Sequence, residues 1–113
     1  MIGIVPLDVF FLNVAVFSDD QSRCAALREE GCDVSEHDVS CLASAHIDTA
    51  GDGSTRLSMV IKPKATKATW AHECVHIADF VMNRLGIPMG VRNTEIRAYL
   101  VARLFAGLEE MMP

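Results

Sequence analysis

The order of apolar and polar positions divides the chain into segments of recognisable period. The first apolar run, rich in Val, Phe and Leu, is nearly continuous and predicts a buried strand over residues 9–17. After it, Asp19 and Asp20 offer side-chain oxygens to the free N–H groups of a helix start. Cys24, Leu27 and Arg28 then fall at helical spacing, and Gly31 supplies a residue that takes a left-handed backbone without steric cost, which suits a helix end. Small and polar residues alternate over 42–49, and Leu57, Met59 and Ile61 alternate with Ser58 and Val60 over 56–62. Gly51, Asp52 and Gly53 lie between these two segments, so they read as a hairpin whose second strand ends at Pro63.

The helical period then takes over. A long helix starts between Thr66 and Thr69 and stops at Gly86, with Pro88 just beyond. A last helix starts after Asn93, a good N-cap, and runs to about Glu110; Ile96, Leu100, Leu104, Leu108 and Met111 form its apolar stripe. Strand, helix, two strands and two helices make an α+β fold: a small, mainly antiparallel sheet, a long helix and a C-terminal helix. No repeat or linker interrupts this order, so residues 1–113 are expected to form one domain.

Composition narrows the functions open to such a fold. Half of the 113 residues are apolar, enough for one core. A net charge of −5 with only 10 Lys and Arg argues against a phosphate-binding surface and hence a nucleic-acid partner. The 9–17 run contains Asn13 and is far shorter than the roughly 20 residues that span a bilayer. Residues 1–12 hold Asp8 and no Lys or Arg, so the basic segment of a signal peptide is missing and a cytoplasmic protein is expected. Cys24, Cys32, Cys41 and Cys74 contain no C-x-x-C unit, which fits reduced thiols better than a disulfide framework.

The candidate chemistry lies in the long helix, where His72-Glu73-Cys74-Val75-His76 reads H-E-x-x-H. Residues four apart project from one face a turn apart, so both imidazoles can reach one metal ion, and Glu73 lies about 100° round the helix, near enough to act on a water. On the helical wheel Trp70, Cys74, Ile77, Ala78, Val81, Met82 and Leu85 cluster on one arc, while His72, His76, Asp79 and Asn83 cluster opposite. The histidines are therefore not core residues. The remaining bland reading is a pair of solvated histidines, against which the intact motif speaks.

Catalytic zinc sites commonly add a carboxylate to two histidines. Glu95, in the first turn of the last helix, is the expected third ligand if that helix folds back across the histidine face; its ordinary role would be to complement the helix N-terminus. Asp79 shares the polar arc but lies about 10.5 Å along the axis from His72, so a hydrogen bond to His76, or solvation, is expected of it. Tyr99, one turn after Glu95, either serves the reaction by orienting a ligand or donating to an oxyanion, or packs. His37 and His46 have no partner at ligand spacing and read as surface or strand residues; Arg92 and Arg97 could hold a substrate carboxylate or carbonyl, or be solvated.

With His72, Glu73, His76 and the downstream Glu95, the chain resembles the gluzincin branch of the zincin metallopeptidases. The runs T-W-A-H-E-C-V-H and N-T-E-I-R-A-Y-L are similar to those of short metallopeptidase-like proteins of phages and prophages, whose size is that of minimal gluzincins. The resemblance covers about residues 69–104. It implies a hairpin packed beside the active-site helix, a peptide or protein substrate along an edge strand, and residence in the cytoplasm, that of the host if phage-encoded. Its ligand set would be Zn2+ on His72, His76 and Glu95, with Glu73 as general base and Tyr99 assisting. A larger gluzincin would have a second subdomain and often an acidic residue at position 99, and this chain has neither. The alternative is a non-catalytic zinc module, although a purely structural site has no need of Glu73.

Overall fold

The computed structural model describes residues 1–36 and 41–112. In chain order the elements are β1 (Gly3–Leu7), β2 (Leu12–Phe17), α1 (Asp20–Glu29), β3 (Ala43–Thr49), β4 (Thr55–Ile61), α2 (Lys67–Arg84) and α3 (Thr94–Met111), with short 3-10 turns at Asp8–Phe10 and Val91–Asn93. The four strands form one sheet in the order β1-β2-β4-β3. Both outer pairs are antiparallel and only β2 and β4 run parallel, so the fold is α+β with a mostly antiparallel sheet.

One expectation changes at the start of the chain. The predicted strand over 9–17 begins only at Leu12, and residues 3–7 form an additional strand that pairs with it, Val5 opposite Val14 and Leu7 opposite Leu12. The reversal between them is made by the turn at Asp8–Phe10 and by Phe11, whose φ of 56° is left-handed. Neither Gly nor Asn marks that position, and an unbroken apolar run conceals it.

Alternation along the strands decides what each face of the sheet carries. Val5, Leu7, Val14, Val16, Leu57, Met59 and Ile61 are buried on one face together with the apolar sides of α2 and α3. β4 has helices over both its faces, which is why every residue from Leu57 to Ile61 is buried. On the other face α1 is tied to the sheet through Arg23, only 1% exposed, which donates to Asp20 on its own helix (2.6 Å) and to Asp48 of β3 (3.3 Å).

The two long helices lie antiparallel. Thr66 caps α2 by accepting from the Thr69 N–H, and Gly86, with φ +71°, ends it while Ile87 N–H returns to the Met82 carbonyl (2.9 Å). From there α3 runs back with one step along α2 matched by about one step back along α3. Lys67 meets Glu109 (3.0 Å), Trp70 meets Phe105 (ring centroids 6.1 Å) and Asp79 meets Arg97 (2.8 Å). Leu100, Leu104 and Leu108 are fully buried and set the rotation of α3 about its axis. Gly107 lets α3 sit directly on β1, because a Cβ there would come within 2.7 Å of both Val5 methyl groups. Among the described residues no helix is long and apolar enough to cross a membrane.

Candidate metal centre

The wheel reading of α2 holds in its main lines. Trp70, Cys74, Ile77, Ala78, Val81 and Met82 are buried, whereas His72 and His76 are exposed on the far side; Leu85, at the end of the arc, is 44% exposed because the helix stops there. The two imidazoles converge: Nε2 of His72 and Nε2 of His76 are 3.0 Å apart, and the rings meet edge to face at 4.7 Å. Without a cation between them, one Nε2 must carry the hydrogen and the other accept it. Two nitrogens bound to a tetrahedral zinc at about 2.0–2.1 Å stand roughly 3.3 Å apart. The observed separation is within a few tenths of an ångström of that figure, so the pair fits a zinc ion.

Glu73 behaves differently from the histidines it separates. It is 7% exposed, on the flank of α2 that faces away from α3. Among the described residues no cation or hydrogen-bond donor engages its carboxylate, which leaves both oxygens available as proton acceptors. Cys74, next in sequence, points into the core; burial pushes its thiol up to about 12, with the nearby Glu73 charge adding to the effect. That thiol is a packing group and not a nucleophile.

Glu95 is not brought to the histidines. In the antiparallel register of α2 and α3 it lies level with Val81, five residues past His76, about 7.5 Å further along the axis. Its direction is also unsuitable. Arg97 reaches the polar arc of α2, where Nε donates to Asp79 Oδ1 (2.8 Å) and an Nη2 hydrogen to Oδ2 (3.3 Å). Residues two apart on a helix diverge by about 200°, so Glu95 faces the opposite way. It shares that flank with Tyr99, 49% exposed, and with Arg103 and Glu110, which line a cleft along β1. Among the described residues no three His, Cys, Asp or Glu side chains are grouped to hold a metal ion. The helix does fold back, but beside the histidine face and not across it, because its leucine stripe seeks the sheet.

Asp79 is likewise bonded to Arg97 and not to His76. Sequence reasoning had placed Asp79 and Arg97 near the site separately, and antiparallel packing of the two helices was the signal that joins them. His46 lies in β3 with its side chain 10% exposed and its Nε2 2.7 Å from Ser44 Oγ, so it is a strand histidine on the α1 side of the sheet. His37 lies outside the described residues. Arg92 is exposed in the turn before α3. All four cysteines are free, and only Cys41 is exposed.

Beside the histidine face, an open apolar groove of about 690 Å3 runs along α3, lined by Ala98, Val101 and Phe105 with Ala71 of α2, and with Arg97 towards the start of α3. Comparison with known proteins finds no family model, no curated protein and no solved structure that matches the chain.

Proposed function

We propose that the chain is a zinc-dependent peptide hydrolase of the zincin type, resembling a minimal gluzincin in its H-E-x-x-H helix. The observation that carries this reading is the 3.0 Å approach of the His72 and His76 Nε2 atoms, with Glu73 between them in sequence and unengaged among the described residues. His72 and His76 hold the ion. Zinc, when bound, supplies Lewis acidity towards a peptide carbonyl and lowers the pKa of an adjacent water. Glu73 accepts the proton of the attacking water at its carboxylate and returns it to the leaving amine nitrogen. Four cysteines without a C-x-x-C unit suit a reducing, cytoplasmic setting.

A second reading, a zinc-binding module without catalysis, is favoured by one feature: Glu95 faces away from the histidines, so among the described residues two ligands are brought together where catalytic zinc sites use three. The two readings part in one experiment. Zinc stoichiometry is measured for the wild type, His76→Ala and Glu73→Gln, alongside cleavage of a peptide library. Zinc bound by the wild type and by Glu73→Gln but not by His76→Ala, with cleavage only in the wild type, supports the hydrolase. The same zinc pattern without cleavage supports the module, and a wild type that binds no zinc overturns both.

A further inference from the structure

The α2/α3 groove and Arg97 together define a ligand class for the proposed site. Arg97 commits Nε and one Nη2 hydrogen to Asp79, which leaves the Nη1 hydrogens and one of Nη2 unassigned among the described residues, on a side chain 40% exposed. Asp79 is three residues after His76 on the same helix face, so its Cβ is about 5–6 Å from that of His76 and Arg97 is held within a turn of the histidine pair. The guanidinium therefore stands where the apolar groove approaches the histidine face. The other charged residue lining the groove, Glu109, lies at the far end and is already paired with Lys67.

We infer that the groove takes the C-terminal residue of a short peptide, with an apolar side chain against Ala98 and Val101 and a free α-carboxylate on Arg97. The inference rests on the hydrolase reading for its catalytic consequence, removal of C-terminal residues, but not for the binding itself. A carboxylate fits because the guanidinium still has N–H groups to donate, and a bidentate grip on one face orients the rest. Glu109 at the opposite end disfavours a carboxylate there, so the peptide has one direction.

Isothermal titration calorimetry provides the measurement. The protein, with and without zinc, is titrated with N-acetyl-leucine and with N-acetyl-leucinamide. The acid is expected to bind about tenfold more tightly than the amide, the worth of a charge-assisted hydrogen bond after solvent competition. Arg97→Gln should remove that preference, while Asp79→Asn, which breaks the same ion pair but keeps the guanidinium, should retain or increase it. If Arg97 were only a latch between helices, both variants would act alike, and that result overturns the inference, as does equal binding of acid and amide by the wild type. The outcomes also separate this inference from the hydrolase reading. Preferential acid binding without any cleavage leaves the groove assignment standing and the hydrolase fallen; cleavage that is equally fast on peptides with free and amidated C-termini does the reverse.

Discussion

Arg97 and Asp79 form a two-bond ion pair that ties the start of α3 to the polar face of α2 (2.8 and 3.3 Å). The pair is partly exposed, and solvent screening keeps its stabilising contribution small, of the order of 1 kcal/mol or less. The pair reports the rotation of α3: with Arg97 on the side of the histidine face, Glu95, two residues earlier, lies on the opposite side of the helix.

Zinc affinity should therefore depend on the histidines and hardly at all on Glu95. Glu95→Ala is expected to change the zinc dissociation constant by less than about twofold, whereas His72→Ala or His76→Ala should weaken it by at least about tenfold, since each removes one of two ligands. Competition against a chromophoric chelator measures all three. A tenfold loss in Glu95→Ala would mean that the first turn of α3 rearranges around the ion.

Glu73 should cost the apo protein stability. A carboxylate that is nearly enclosed and has no partner among the described residues is less well solvated in the folded state than in the unfolded chain. Glu73→Gln keeps the shape and removes the charge, so it is expected to raise the unfolding free energy by up to about 1 kcal/mol while abolishing cleavage, the usual opposition of stability and activity. Urea unfolding of the zinc-free proteins reads the first effect. A Glu73→Gln variant less stable than the wild type would indicate that the carboxylate has a structural partner instead.

How much of this was legible in the sequence follows from the range of the interactions involved. The elements from α1 onward depend on local signals: Asp19 as a cap, Gly31 and Gly86 as left-handed ends, the glycines between β3 and β4, and the leucine stripe of α3. The histidine pair is equally local, four residues within one helix. What escaped was non-local or unmarked. β1 was hidden because Phe11 makes a left-handed turn that its side chain gives no reason to expect. The partner of Asp79 and the direction of Glu95 depend on the rotation of α3 about its axis. That rotation is fixed by where Leu100, Leu104 and Leu108 meet the sheet, not by the first turn that carries Glu95.

The contact of α3 with β1 makes a stability prediction with two opposing terms. Alanine is favoured over glycine in a helix by about 1 kcal/mol, but a Cβ at Gly107 would stand 2.7 Å from both Val5 methyls in a closed core. Overpacking of that kind costs roughly 1–3 kcal/mol, so Gly107→Ala should be net destabilising by about 1 kcal/mol. Removing the obstructing methyls should reverse the sign of the effect. In the Val5→Ala background, Gly107→Ala is expected to stabilise, giving a coupling of about 1 kcal/mol or more in a double-mutant cycle. Additive effects would show that α3 does not sit on β1 as closely as described.

Alkaline pH should weaken the fold through its buried thiols. Burial raises Cys74 from the usual 9.0 to about 12, and burial also raises Cys24 and Cys32. In the unfolded chain these thiols ionise near that ordinary value. Above that pH the unfolded state has released protons that the folded state retains, so the unfolded state binds fewer, and stability falls as pH rises. For Cys74 the window runs from about 9 to about 12, with a slope of at most about 1.4 kcal/mol per pH unit. Lysine and tyrosine also titrate there, so the informative quantity is the difference between the wild type and Cys74→Ala. The variant should start less stable at pH 7, through the small cavity it leaves, and lose less on going to pH 10.5, and urea unfolding at both pH values measures it. Parallel losses in the two proteins would mean that Cys74 ionises as readily folded as unfolded, and hence that water reaches the core face of α2.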